Sequence, residues 1–320
     1  MQIRTSPFVQ ELASAKRVTR GWVAYLIFLG CLFGVQGALW TGLPAMFPVE
    51  AGSPASQVQE AIANLASILV LFAWILLYER RSIASLGLGR PGRGVGVLLV
   101  GIVSGAAVIS VPILFLWATG SYVQVEASAT ATTGWSALPL VLALAATVVV
   151  QGGNEELLTR GFLLQNQGWK LKWGWLAILL PALAFTIPHG VLGKPFALVT
   201  ILGFALFASF VVLRTGSLWW VIGFHAGWNW TMGNIFAIPV SGLPPKSAAL
   251  VYLEPASGAP DWLTGGEFGT EGGLPAAVVT VVITVIAYLL LRRTAATWPS
   301  PEAPQPGAPQ PEASDTRTTG

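Results

Sequence analysis

The chain of 320 residues is 54% hydrophobic and 10% charged, and its mean hydropathy is +0.67. Soluble globular domains carry about 25% charged residues, so this composition excludes a soluble protein. The net charge of +3 is spread over short segments between apolar runs, which excludes the dense basic patch of a nucleic-acid-binding protein. We therefore expect a lipid bilayer as the main partner of the chain, and no nucleic acid.

Eight apolar segments are long enough to cross a bilayer, which takes about 20 helical residues. Backbone N–H and C=O groups in lipid must be paired within their own segment, so each segment is predicted to be an α-helix. The chain is therefore predicted to be an all-α, polytopic membrane protein with about eight transmembrane helices. In chain order, the predicted spans are residues 21–40, 61–78, 95–118, 136–155, 174–190, 196–213, 217–238 and 274–291.

The lysine and arginine residues predict the orientation of the helices. With the N-terminus in the cytoplasm, all of the 17 Lys and Arg residues except Lys194 and Lys246 lie on the cytoplasmic side, as the positive-inside rule expects. We expect a multi-pass protein of the cell membrane with both termini cytoplasmic. Residues 1–20 then form a cytoplasmic N-terminal segment and residues 21–293 a transmembrane helical domain. The Pro-rich stretch 294–320 is predicted to be a disordered cytoplasmic tail.

Three other features of the sequence are predicted to be structural. Cys31 lies within the first span and, as the single cysteine, cannot form an intramolecular disulfide. The glycine-rich stretch around residues 87–95 lacks the preceding strand of a dinucleotide-binding loop. The segment 239–273 carries acidic residues among glycine and proline, and we expect a solvated connector there rather than a lid over an opening.

The stretch QGGNEELLTRGFLLQ, residues 151–165, places three ionisable groups at the end of the fourth predicted span. A charged side chain in the middle of a bilayer costs at least about 2.5–3.5 kcal/mol, so Glu155, Glu156 and Arg160 need polar partners if they lie there. If the helix instead ends near Val150, all three lie in the headgroup region at little cost. This segment alone does not decide between the two alternatives.

Polar residues in two other predicted spans favour the buried alternative. The only two histidines, His189 and His225, both fall inside spans. Asn229 follows His225 by four residues, so both side chains lie on one face of a helix. Buried polar groups need hydrogen-bond partners, and in a membrane the nearest such partners are one another.

These groups are predicted to lie at similar depths in the bilayer. If the fourth helix continues to Lys170, Glu155 lies about 22 Å from that basic end, at a rise of 1.5 Å per residue. By the same rise, His189 and His225 lie about 26 and 16 Å from basic residues near the cytoplasmic ends of their own helices. Helix tilt and breaks absorb a spread of this size. We therefore predict that the helices enclose one intramembrane polar cavity to which all three groups contribute.

The motifs EELLTR (155–160), FTIPH (185–189) and HAGWN (225–229) together resemble those of the CPBP intramembrane proteases. This family includes the type II CAAX prenyl proteases and bacteriocin-processing and immunity-related members. The motifs occur in the family's order on separate predicted helices, within about residues 140–235. The resemblance implies an intramembrane endopeptidase.

The same resemblance implies a role in peptide hydrolysis for each of four residues. Glu155 is implied to be the general base that activates water, with His189 helping to position that water. His225 and Asn229, one helical turn apart, are implied to hold the substrate carbonyl and the developing oxyanion.

Two supporting residues and a metal alternative follow from the same motifs. Glu156 and Arg160 are four residues apart and form a favourable helical pair, which is implied to orient the site. The family is often classed with the metalloproteases, and Glu155, His189 and His225 offer two nitrogens and one oxygen for an open catalytic zinc site. A metal-free glutamate–histidine site uses the same residues. The sequence leaves zinc as an open alternative, because the HExxH spacing of common zinc proteases is absent.

Two further functions are compatible with buried glutamate and histidine residues. A proton-coupled transporter uses such groups as a relay, and it predicts inverted repeats that the sequence does not display. A non-catalytic membrane scaffold or immunity protein would tolerate loss of Glu155. Under the protease hypothesis the partner is a membrane-associated peptide, and the sequence does not distinguish a prenylated protein from a leader peptide.

Overall fold

The computed structural model describes residues 3–299, so the predicted tail from residue 300 onward lies outside the described residues. Eight long helices form the body of the described chain. They are α1 Gly21–Met46, α2 Pro54–Glu79, α3 Pro91–Ala118, α4 Gly134–Lys170, α5 Gly174–His189, α6 Pro195–Thr215, α7 Trp219–Trp230 and α8 Leu274–Ala295. Short helical turns lie at Ile3–Thr5, Pro7–Gln10, Glu11–Ser14, Ile83–Leu86, Asp261–Thr264, Gly266–Phe268 and Thr270–Gly272.

Six helical segments in the described part of the chain are long and apolar enough to cross a bilayer. These are α1, α2, α4, α6, α8 and the segment Ile83–Ala118, which contains α3. Helix α5 is a shorter apolar helix, and α7 has 12 residues before a π-helical turn over Thr231–Ile235. The all-α polytopic class is confirmed, whereas the predicted count of eight spans is not. The boundaries differ most at α4, which continues past residue 155 to Lys170.

Local sequence sets the ends of several helices. Helix α2 begins after Ser53, whose Oγ accepts a hydrogen bond from the N–H of Ser56 at 3.1 Å, and Pro54 occupies the first helical position. Gly190 follows α5 and Gly216 follows α6, with φ of +66° and +69°, a left-handed conformation that glycine adopts without strain. These tight ends keep α5, α6 and α7 adjacent. The second motif lies on α5 and the third motif on α7.

One end of the bundle, which we call the loop face, is formed by residues 47–53, 119–133 and 239–273. Two short strand pairs lie in this face. Strand β1 (Tyr122–Gln124) pairs antiparallel with β4 (Leu253–Pro255), and β2 (Thr132–Thr133) pairs parallel with β3 (Ala248–Ala249). The Tyr122 hydroxyl donates to the carbonyl of Thr264 at 2.7 Å, and Phe268 is buried. The prediction of a solvated connector at 239–273 is therefore wrong. Hydropathy does not reveal this packing, because backbone hydrogen bonds between the loops provide much of it.

The opposite end, which we call the basic face, is formed by residues 3–20, 79–90, 165–173 and 213–218. Buried polar groups connect these segments. Gln165 Nε2 donates to the carbonyls of Phe8 and Ser85, both at 2.8 Å, and Arg81 forms an ion pair with Glu79 at 2.7 Å. The N-terminal segment is thus packed against the bundle.

Exposed tryptophans mark two levels along α1. Trp22, near the basic face, is 63% exposed, and Trp40, near the loop face, is 43% exposed. At 1.5 Å per residue they are about 27 Å apart, close to the ~30 Å of a hydrocarbon core, and tryptophan is enriched at membrane interfaces. Gln36 is buried on the same helix, about 6 Å from the level of Trp40. Polar groups near Gln36 therefore lie within the apolar layer but closer to the loop face.

Helices α3 and α7 pack with their backbones in contact. A Cβ added at Gly105 of α3 would lie 2.0 Å from the carbonyl oxygen of Phe224, and one added at Gly227 of α7 would lie 2.0 Å from that of Ile102. Small residues at such contacts are a common means of helix association in membranes. This contact fixes the position of α7, which carries the third motif.

We expect Gly105→Ala to destabilise the protein, because the new methyl group would force α3 and α7 apart. Overpacking of this kind costs about 1–3 kcal/mol. The matched control is Gly96→Ala on the same helix, where an added Cβ meets nothing within 4 Å and alanine is favoured by helix propensity. Thermal unfolding in detergent compares the two variants. A Tm for Gly105→Ala equal to that of Gly96→Ala would contradict the close helix contact.

Candidate active site

Side chains from three helices meet in one cluster. Glu155 lies on α4, His189 at the end of α5, and His225 and Asn229 on α7. Glu155 Oε2 lies 3.8 Å from Nε2 of His189 and 3.9 Å from Nε2 of His225. Asn229, one turn beyond His225, lines the same cavity. The structure thus brings together all four residues that the sequence analysis singled out for catalysis.

Both histidine rings are held through Nδ1. His189 Nδ1 lies 2.7 Å from the carbonyl oxygen of Phe185, and a carbonyl only accepts, so this nitrogen carries the proton. His225 Nδ1 lies 2.9 Å from Oε1 of Glu156, which as a carboxylate is also an acceptor. Both rings therefore present Nε2 toward Glu155, with Nδ1 committed elsewhere.

Glu156 and Arg160 support the ring of His225. Arg160 Nη1 donates to Glu156 Oε1 at 3.1 Å, the same oxygen that His225 contacts. The guanidinium also lies over the ring of Phe185, 4.3 Å from the ring centroid, which is cation–π distance. The Arg160 and Glu156 side chains are 1% and 0% exposed. Helical spacing predicts the Glu156–Arg160 pair, but it gives no signal for the contact with His225, which joins α4 to α7.

Glu155 faces a cavity of about 200 Å³. Aromatic side chains form much of its wall, namely Phe28, Trp40, Phe185, Phe204 and Trp228. Ser241 and Glu271 of the loop face also line it, whereas none of its described lining residues belongs to the basic face. The cavity is therefore an apolar recess on the loop-face side of the bundle, with ionisable groups in its wall.

A network of side-chain amides lies beside Glu155. Asn154 Nδ2 donates to Gln36 Oε1 at 3.2 Å and to Asn64 Oδ1 at 2.9 Å. The network joins α4 to α1 and α2, and both Gln36 and Asn64 line the cavity. The sequence analysis did not single out these residues. The available signal was an amide inside each of the first two predicted spans.

The loop face contributes a carboxylate to the cavity wall. Glu271 Oε1 accepts a hydrogen bond from Trp228 Nε1 at 2.9 Å, and Glu271 Oε2 accepts from the N–H and hydroxyl of Ser241, both at 2.8 Å. The segment 239–273 is therefore hydrogen-bonded to α7 in the wall of the cavity. Sequence reasoning missed this contact because nothing in the loop pairs it with a particular helix.

The helical turns widen within the first motif and just after the third. Leu157–Leu164 follows Glu156 as a π-helical segment, and Thr231–Ile235 follows the third motif in the same geometry. Such wide turns inside α-helices are frequent at functional sites. Here they lie next to the side chains that face the cavity.

The cluster is more widely spaced than the ligands of a bound zinc ion. Neighbouring ligands of tetrahedral zinc are about 3.4 Å apart, since Zn–N and Zn–O bonds are about 2.0–2.1 Å. Glu155 Oε2 lies 3.8 and 3.9 Å from the two imidazole Nε2 atoms. Within residues 3–299, no group of three or more His, Cys, Asp and Glu side chains is arranged to hold a metal ion. We therefore assign no step of hydrolysis to zinc.

Apolar helices around a buried carboxylate, two imidazoles and several amides define a polytopic membrane protein with an intramembrane polar site. Residues 135–231 match the family model Rce1-like, described as type II CAAX prenyl endopeptidase Rce1-like. This segment, under a third of the chain, contains all three motifs, and the match supports membership of the CPBP family. The same match supports an intramembrane CAAX-type protease in general. Comparison with curated proteins and with solved structures gave no match.

Proposed function

We propose that the protein is an intramembrane endopeptidase that hydrolyses a peptide bond with Glu155, His189, His225 and Asn229. One observation carries the proposal. Glu155 Oε2 is buried, has no hydrogen-bond partner in the described part of the chain, and faces two imidazole Nε2 atoms at 3.8 and 3.9 Å. A carboxylate oxygen in this setting is suited to bind a water molecule and remove its proton.

In the proposed reaction, a water molecule bound at Glu155 Oε2 gives up one proton to this oxygen as it attacks the carbonyl carbon of the peptide bond. His189 Nε2 accepts the hydrogen bond of the other water hydrogen and so directs the attack. The C–N bond then breaks, and the proton held by Glu155 passes to the leaving nitrogen. Glu155 therefore acts first as a general base and then as a general acid.

Asn229 and His225 stabilise the oxyanion in this mechanism. The side-chain amide of Asn229 provides one donor. The Nδ1 proton of His225 is directed at Glu156, so donation to the oxyanion through Nε2 uses the doubly protonated imidazolium form of the ring. Donors held in place in a site shielded from water are the main source of stabilisation for tetrahedral intermediates. Glu156 and Arg160 keep the ring of His225 in the required orientation.

The cavity wall favours a membrane-associated or lipidated protein or peptide as substrate. Its aromatic side chains provide an apolar surface for a lipid chain or an apolar segment. Gln36 and Asn64 lie in the same wall, and their amides are suited to pair with the backbone of an extended peptide. An apolar group next to an extended peptide backbone is the feature that this wall fits. It is shared by a prenylated peptide, a leader peptide and the end of a transmembrane segment.

The closed basic-face side of the cavity favours hydrolysis over transport. A transporter needs a path that opens to each face in turn. Residues 156–168 of α4, between Glu155 and the basic face, are all buried. Arg160 fills this region and is paired with Glu156. The polar groups thus line a recess on one side of the bundle, with no second path toward the basic face among the described residues, and this arrangement fits a hydrolytic site.

We further propose that the protein lies in the cell membrane with the basic face and both termini cytoplasmic. The arginines and lysines of the basic face support this orientation through the positive-inside rule. Because the cavity is lined from the loop face, it then receives its substrate from the non-cytoplasmic side of the membrane.

Single cysteines test this orientation, since Cys31 is the only natural cysteine and is buried. Ser257 of the loop face and Thr215 near the basic face are both exposed. In intact cells, a membrane-impermeant maleimide is expected to label Ser257→Cys at once, and Thr215→Cys only after permeabilisation. The reverse labelling pattern would contradict the proposed orientation and leave the catalytic proposal intact.

Purified protein in detergent or liposomes tests the proposed function directly. We expect cleavage of at least one member of a panel containing a prenylated peptide, a leader peptide and a transmembrane peptide, with new termini identified by mass spectrometry. Cleavage is expected to persist in a chelator, because no step is assigned to a metal. Loss of cleavage in chelator that zinc restores would refute the metal-free mechanism. If no peptide of the panel is cleaved and the protein shows proton-coupled uptake in liposomes, the proposed protease function is refuted.

A further inference from the structure

A small side chamber adjoins the active-site cavity on its loop-face side. Its volume is about 20 Å³, and one water molecule needs roughly 10–15 Å³ on this scale. The chamber and the cavity share five lining residues, namely Glu60, Gln151, Asn229, Val240 and Leu243. The remaining walls of the chamber are Gln57, Thr147, Val148, Asn234 and Lys246.

Two amides in the chamber wall have buried atoms without a protein partner. Gln57 is 2% exposed, and neither its Nε2 nor its Oε1 has a hydrogen-bond partner among residues 3–299. Asn234 uses its Nδ2 to donate to the carbonyl of Ala248 at 3.0 Å, and its buried Oδ1 has no partner in the same range. Buried polar atoms are almost always hydrogen-bonded, and those without a protein partner typically bind internal water.

An ion pair keeps the outer wall of the chamber polar. Lys246 is 8% exposed, and its Nζ lies 3.3 Å from Oε2 of Glu60. Both groups have unused hydrogen-bonding capacity, since an ammonium has three donors and a carboxylate about four acceptor sites. The chamber therefore offers both donors and acceptors, as a bound water molecule requires.

We propose that this chamber is a water-binding site that supplies the hydrolytic water, an inference that rests on the proposed protease function. A substrate that fills the aromatic cavity separates Glu155 from the solvent at the loop face. The chamber adjoins the cavity through Gln151, one turn before Glu155 on α4, and through Asn229. Water held by Gln57 and Asn234 thus reaches the base from the side, without passing the substrate.

Gln57→Met tests the supply of water. Methionine matches the length of glutamine but provides no amide to hold water, so we expect kcat to fall about tenfold, the equivalent of one lost hydrogen bond, with KM unchanged. The matched control is Gln59→Met on the same helix. Gln59 donates to the carbonyl of Phe47 at 2.8 Å and does not line the chamber. Equal kcat in the two variants, or a rise in KM alone, would overturn the proposal.

A high-resolution structure of the parent protein provides a second measurement that does not depend on folding of the variant. We expect an ordered water molecule within hydrogen-bond distance of the Gln57 amide. A chamber without such density, or one occupied by detergent, would overturn the water-binding site. If the parent cleaves no peptide, the supply role fails with the protease, while the structure still decides whether the chamber binds water.

Discussion

Replacing Glu155 with glutamine is expected to lower the turnover of a verified substrate by about 10²–10⁴, the range typical for loss of a general base. Glutamine keeps the shape of the side chain and two polar atoms, but it cannot accept the proton from water. The folded yield and Tm are expected to stay near those of the parent, because an amide is less costly in an apolar layer than a carboxylate. The measurement is kcat for purified protein, with the Tm of the same sample.

The control for this variant is Glu267→Gln, the same substitution at an exposed loop-face residue. It is expected to leave both kcat and Tm unchanged. If Glu155→Gln retains a rate close to that of the parent, Glu155 is not the base. The glutamate would then have to be interpreted as a structural group of the cavity wall.

The cost of polar groups in lipid explains how much of the site arrangement the sequence predicts. Each of the residues Glu155, His189 and His225 lies in or next to an apolar span, and the depth argument requires α4 to continue to Lys170. The structure has this long helix, and it brings Glu155 within 4 Å of both imidazoles. Periodicity and rise per residue were sufficient to predict that these three side chains lie close together, because few polar residues in the spans were available to pair.

The contacts that the sequence does not predict join different helices or loops. Glu156 is correctly paired with Arg160, yet its contact with His225 depends on how α4 and α7 pack. The same holds for Asn154, whose partners lie on α1 and α2. The loop segment 239–273 is the clearest failure, because its packing depends on backbone pairing that composition does not encode. Helix lengths and depths are properties of one segment, whereas these contacts are properties of the assembled fold.

Replacing Glu156 with leucine is expected to produce the largest loss of stability among the site variants. Arg160 is 1% exposed and pairs with Glu156 at 3.1 Å. Without that partner its guanidinium would keep the hydroxyl of Thr159 at 2.8 Å and the faces of Phe185 and Phe204. Removing one partner of a buried ion pair costs about 3–5 kcal/mol. Thermal unfolding and folded yield measure this loss. A Tm for Glu156→Leu close to that of the parent would contradict the buried pair.

The paired variant Glu156→Leu with Arg160→Met separates stability from positioning. Replacing both members of a buried ion pair with apolar residues of similar volume is often neutral or stabilising, so we expect much of the lost Tm to return. Turnover is expected to remain low, because His225 Nδ1 loses its 2.9 Å acceptor and the ring is no longer held with Nε2 toward Glu155. The test compares Tm and kcat for the single and paired variants in one preparation. Recovery of Tm without kcat supports a positioning role for Glu156, whereas recovery of both would show that the carboxylate only neutralises Arg160.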